Sequence, residues 1–182
     1  QSKTLEAKNP KLTKDYKEVK AAIEEEYKAK GQTLTSSADW KTANDMVERL
    51  AACGLLKKRL TGKYQVEFNE DLDGVPLRGF LDCLGDGFIT DSKSARSVDK
   101  FRYDINGWSY DIQAYIYTKV FDIKDYYWVV QEKTYPYYPA EIKCSEETLF
   151  KGEMKYHQAL ENIKAYLDKK QPELDCYASF TV

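Results

Sequence analysis

Residues 75–95 read VPLRGFLDCLGDGFITDSKSA, two apolar alternating runs joined by a glycine-containing turn. Val75, Leu77, Gly79 and Leu81 alternate with Arg78, Phe80 and Asp82, the period-two signature of a strand with one face on a core. Asp86-Gly87 is a strong hairpin turn, because glycine accepts positive φ without steric conflict. A further strand follows from Phe88 to about Lys93. Residues i and i+2 of a strand point to the same face, so Asp91 and Lys93 project together. The hairpin arms are roughly symmetric, which brings Asp82 near Asp91. Two carboxylates and an ammonium therefore converge in one place.

Working outward, Tyr64, Val66 and Phe68 alternate with Gln65, Glu67 and Asn69 and predict a strand before the turn at Asp71, Asp73 and Gly74. Two helices precede it. Asn9 and Pro10 lead into Tyr16, Val19, Ile23 and Tyr27 at helical spacing, and Gly31 ends that helix. The second begins near Ser36, Ser37 or Asp39, carries Trp40, Ala43, Val47, Leu50 and Ala51 on one stripe, and ends near Gly54. Downstream, Phe101, Ile105, Trp108, Ile112, Tyr115 or Ile116, and Val120 keep a helical period. Asp125 and the run Tyr126 to Val130 predict a fourth strand, and Ala140 to Cys144 a fifth. The last helix is expected from about Ser145 to Lys169, with Pro172 ending it. The expectation is an α/β (α+β) domain: one central mixed sheet of about four to five strands flanked by helices, continuous over 1–182.

A chain of 182 residues, 42% hydrophobic, is long enough for a real core. The formal net charge of −2 does not announce a nucleic-acid binder, although a bound metal ion can supply the positive charge that phosphates need. Cys53, Cys83, Cys144 and Cys176 lack the close spacing of a zinc site, and with no signal peptide they read as reduced, cytoplasmic residues. No apolar run approaches membrane-spanning length, so no membrane partner is expected.

An Asp beside a Lys is most often a surface ion pair worth under about 1 kcal/mol. Here the pair follows an apolar strand and faces a second Asp across a tight hairpin, which favours a site. Hard oxygen ligands of this kind hold Mg²⁺ with some of its waters (Mn²⁺ can substitute), and the ion lowers the pKa of a bound water. A lysine alongside orients that water or stabilises developing charge, as phosphodiester hydrolysis requires. An upstream acidic ligand is open between Glu67 and a role for Gln65 on the same strand face; Glu67 reads equally as a solvent-facing residue. Arg96, Lys100 and Arg102 either touch phosphates without reading sequence or form an ordinary charged loop.

The stretches Gly79-Phe80-Leu81-Asp82, Ile89-Thr90-Asp91-Ser92-Lys93-Ser94 and Tyr110-Asp111-Ile112-Gln113-Ala114-Tyr115-Ile116-Tyr117 resemble the PD-(D/E)xK nuclease superfamily. The pattern is most similar to phage- and prophage-type exonucleases of the exonuclease VIII (RecE) kind, over about Lys11 to Tyr166. That resemblance implies a restriction-endonuclease-like core. It also implies that Asp82, Asp91 and the backbone carbonyl of Ser92 are metal ligands and Lys93 the catalytic lysine. Gln113 and Tyr117, at i and i+4, would face the site from one side of the following helix. Departures are Leu81 in place of the family's proline, and Ser92 and Ser94-Ala95 in place of Leu and Thr-Thr. The group's metal-binding histidine on an upstream helix has no match. His157 is the sole histidine and lies on the last helix as a surface or packing residue. With Gln1 first, an N-terminal segment is expected to be missing.

The function so implied is a Mg²⁺-dependent exonuclease on double-stranded DNA ends, cutting 5′ to 3′ in phage-type DNA recombination. Its expected partners are a homo-oligomeric ring of copies and a single-strand annealing protein. The alternative is a non-catalytic DNA-binding module that keeps the fold. Iron–sulfur relatives of this fold use clustered C-terminal cysteines, and Cys144 and Cys176 are too few and too far apart for that.

Overall fold

The protein is described by a computed structural model in which residues 13–168 are placed. The expected features at Asn9, Pro10, Lys169, Pro172 and Cys176 lie outside the described residues. Backbone contacts group the chain into two compact units, residues 1–44 and 45–182.

In the first unit, α1 (Lys14–Ala29) starts at Thr13, whose hydroxyl accepts the Tyr16 N–H at 3.3 Å. Its predicted stripe forms at helical spacing, yet none of its residues is buried. Helix α2 (Ser37–Ala52) begins in this unit, where Ser36 Oγ accepts the Asp39 N–H at 3.0 Å. The end of α2 belongs to the second unit and buries Leu50.

The second unit continues with a short α3 (Leu55–Arg59) that periodicity does not predict. Tertiary contacts hold it. The Arg59 guanidinium sits 3.6 Å from the Tyr127 ring centroid and donates to Glu141 at 2.7 Å. Strands β1 (Lys63–Leu72), β2 (Val75–Leu84), β3 (Phe88–Ala95), β4 (Asp125–Glu132) and β5 (Pro139–Lys143) form one mixed sheet in the order β1-β2-β3-β4-β5. Asp73 and Gly74 both take positive φ, 54° and 79°, as a two-residue hairpin whose twist matches its strands requires. The Asp71 carboxylate accepts the Gly74 N–H at 2.8 Å and closes that turn.

Strands β3 and β4 run parallel, with Asp91 beside Trp128 and Lys93 beside Val130. A parallel pair needs a crossover, supplied here by α4 (Phe101–Gly107) and α5 (Tyr110–Phe121). The single helical period read from Phe101 to Val120 is thus two helices. Ser109 adopts a left-handed conformation, φ 56°, and breaks the run while leaving the apolar spacing intact. Helix α6 (Glu146–Leu167) completes the layer, capped by Ser145 Oγ on the Thr148 N–H at 3.1 Å.

The core lies between the sheet and α4–α5. Trp128, Tyr126, Phe101, Leu81, Ile89, Val130 and Ala114 are buried there. Each large apolar side chain contributes roughly 1.5–3 kcal/mol by leaving water. Tyr126 and Trp128 pack edge to face at 5.2 Å directly beside the strand that carries Asp91 and Lys93. Among the described residues no helix is long and apolar enough to cross a membrane.

Candidate active site

The site is a fork between β2 and β3. Their ladder holds only at Leu84–Ile89 and Cys83–Thr90, next to the turn where Gly85 N–H reaches the Phe88 carbonyl at 2.9 Å. One step further the register would pair Asp82 with Asp91, and there the strands part. The Ser92 N–H donates to Asp82 Oδ2 at 2.8 Å. A carboxylate thus takes a backbone donor on β3 at the point where the ladder ends.

Asp91 is buried, 3% exposed. Its Oδ2 forms an ion pair with Lys93 Nζ at 2.7 Å. Its Oδ1 accepts from Gln113 Nε2 at 3.2 Å. Burial pushes the Asp91 carboxyl up to about 6; the Asp82 charge acts in the same direction, while Lys93 and Gln113 oppose it.

Helix α5 closes the cluster from the side. Lys93 Nζ donates to Gln113 Oε1 at 3.1 Å, and Gln113 Nε2 also reaches the Tyr117 hydroxyl at 3.2 Å. Tyr117 donates in turn to the Phe80 carbonyl at 3.0 Å. One chain of hydrogen bonds therefore runs from β2 through α5 to β3. The Tyr110 ring lies 4.7 Å from Lys93 Nζ and adds a cation–π contact that the motif reading did not single out. Its signal in the sequence was the i, i+3 spacing of Tyr110 and Gln113.

The structure thus brings Asp82, Asp91, Lys93, Gln113 and Tyr117 together, with Ser92 engaged through its backbone N–H. Of the two β1 side chains weighed, Gln65 reaches the site: its Nε2 donates to Asp82 Oδ1 at 3.1 Å. The Glu67 carboxylate pairs with Arg78 Nε at 2.7 Å. Arg96, Lys100 and Arg102 are exposed after β3, with Arg102 stacked 5.0 Å over Tyr103. His157 is exposed and packs edge-on against Tyr115 and Tyr156.

Whether these residues suit a divalent cation can be judged from Asp91. A buried carboxylate next to a second carboxylate is an oxygen donor set that suits a hard cation. Among the described residues no group of three or more His, Cys, Asp or Glu side chains gathers for a metal. Two carboxylates suffice for a Mg²⁺-type ion, which keeps several of its waters.

The sequence profile of the family described as a PDDEXK-like domain of unknown function (DUF3799) matches residues 6–177. A search of curated proteins finds no match. The fold is similar to the crystal structure of a candidate exonuclease from Eubacterium rectale, with a TM-score of 0.63 at 18% identity over 92% of this chain and 71% of that one. At that identity the likeness speaks for the fold. With the profile covering nearly its whole length, and with the forked sheet in place, the chain belongs to this PDDEXK-like family and so to the PD-(D/E)xK nuclease superfamily.

Proposed function

We propose that this chain is a divalent-metal-dependent deoxyribonuclease, specifically an exonuclease that digests double-stranded DNA ends 5′ to 3′ in phage-type recombination. The observation that carries this reading is the fork, where Asp82 and Asp91 meet beside an ammonium fixed by Gln113. In this reading Asp82, Asp91 and the Ser92 carbonyl hold Mg²⁺, or Mn²⁺ in its place. The bound ion supplies an activated water and offsets charge on the phosphate.

The protein's own groups do the rest. Asp82 is held by a backbone donor on β3 and a side-chain donor on β1, so its carboxylate plane is set in advance. Lys93 Nζ is restrained by Asp91, Gln113 and the Tyr110 face, and is placed to orient the attacking water or to stabilise a developing oxyanion. Arg96, Lys100 and Arg102 would meet phosphates from the solvent side. The family resemblance further supports a ring-like homo-oligomer and a single-strand annealing partner.

The reading is tested with linear and circular duplex DNA carrying label at one 5′ or one 3′ end, in Mg²⁺. Early release of 5′ label from linear DNA alone is the expected result. Cleavage of circular DNA would assign endonuclease action, early 3′ release would reverse the polarity, and no cleavage of any form would leave a binding module.

A further inference from the structure

We infer that Gln65 is a positioning residue for Asp82, and that through Asp82 it sets the affinity of the fork for a divalent cation. This rests on the metal-site reading above.

The first observation is contact. Gln65 Nε2 donates to Asp82 Oδ1 at 3.1 Å while the Ser92 N–H donates to Oδ2 at 2.8 Å. Each carboxylate oxygen thus has one fixed donor, from opposite neighbouring strands. Two such bonds define the carboxylate plane and leave the remaining lone pairs for a cation.

The second observation is the backbone. Tyr64 pairs with Cys83 and Val66 with Leu81, so the β1–β2 register is the same on both sides of Gln65. Gln65 stands opposite Asp82 by that register, yet the ladder skips this pair. Its φ is +48°, left-handed in mid-strand, where a non-glycine residue is sterically disfavoured. Such outliers persist where surrounding structure holds them and gather at functional sites. Here the interruption falls at the β1 residue whose side chain donates to Asp82.

The third observation is residue type. An amide can donate where a carboxylate cannot. Glu at 65 would press a third negative charge on Asp82 and Asp91. The acidic residue of β1 nearest in sequence, Glu67, is bound by Arg78 at 2.7 Å. The strand therefore offers the fork a donor at Gln65, while the Glu67 carboxylate is paired with Arg78.

The test is calorimetric titration of the 182-residue chain with Mn²⁺ alone, for the parent, Gln65→Ala, Gln65→Gly and Asp82→Asn. Removing a group that orients a metal ligand typically weakens affinity about 10- to 100-fold. We expect that loss in both Gln65 variants and abolished binding in Asp82→Asn. Gln65→Gly removes the side chain and relieves the left-handed strain, so its melting temperature in EDTA should equal or exceed the parent's. This separates loss of positioning from loss of fold. In Mg²⁺-dependent DNA hydrolysis, both variants should need more metal for half-maximal rate and recover most of the parental rate at saturation. If Gln65→Ala and Gln65→Gly bind Mn²⁺ as the parent does while Asp82→Asn does not, the role of Gln65 is refuted and the metal site stands. If the parent binds no Mn²⁺, or Asp82→Asn binds it equally, the metal-site reading fails and the role of Gln65 with it.

Discussion

Asp82 accepts the backbone N–H of Ser92 at 2.8 Å across the point where β2 and β3 separate. A side chain of one strand thereby replaces the next rung of the ladder, and the gap so opened holds both acidic groups. Ser92 lies between Asp91 and Lys93 in sequence, so the same bond anchors the strand that presents both side chains on one face.

The buried Asp91 links stability to pH. Its carboxyl is raised to about 6 in the folded protein, against roughly 4 when unfolded. Below about pH 4 both states are protonated. As pH rises through 6 the folded state must ionise a buried group, so stability present at low pH is lost across that window. Asp91→Asn should therefore stabilise the metal-free protein at pH 8 by on the order of 1–3 kcal/mol, with the gain vanishing near pH 4. Thermal melts in EDTA at several pH values check this. Parallel pH profiles for the two proteins would contradict the burial argument.

Gln113 holds Lys93, Asp91 and Tyr117 at once. Gln113→Ala frees the ammonium and breaks the link from α5 to β2. DNA hydrolysis should slow by about 100-fold, as a small misplacement of a reacting group does. Stability should fall by only about 1 kcal/mol per bond lost. Steady-state rates beside urea unfolding measure both, and a rate loss no larger than the stability loss explains would count against the positioning role.

The start of α5 is tied to the middle of α6 by an ion pair whose carboxylate, Asp111, is buried. Lys155 Nζ lies 2.6 Å from Asp111 Oδ2 and also donates to Asn106 Oδ1 at 2.8 Å. Lys155→Met strands the Asp111 charge and should destabilise the fold by about 3 kcal/mol. Adding Asp111→Leu removes the stranded charge and should recover much of that loss. Chemical denaturation of the single and double variants decides between a stranded charge and simple loss of packing.

Helices α5 and α6 also approach closely at Gly152, where a Cβ would collide with the backbone carbonyl of Asp111. Gly152→Ala should cost about 1–3 kcal/mol despite alanine's better helix propensity. Because α5 carries Gln113 and Tyr117, the rate of DNA hydrolysis should fall as well. A stabilised, fully active Gly152→Ala would show that the helices separate without disturbing the fork.

The hairpin and its three charged residues were legible because strand alternation and a Gly-containing turn are local signals. Asp82, Asp91 and Lys93 needed nothing beyond register to be placed together. The kink between α4 and α5 was hidden, since Ser109 breaks the backbone while the apolar positions keep their spacing. Helix α3 was hidden because Arg59 is held by Tyr127 and Glu141, far away in sequence. The choice between Gln65 and Glu67 also turned on tertiary facts, namely the Arg78 partner and the left-handed backbone at Gln65.

Metal-dependent hydrolysis at the fork is measured by the rate of linear duplex DNA degradation in Mg²⁺ by the parent and by Lys93→Ala, with matched circular dichroism spectra. The parent should degrade the DNA, and the rate should fall by about 100-fold or more when the ammonium at the fork is removed. Equal degradation by the two proteins would contradict it.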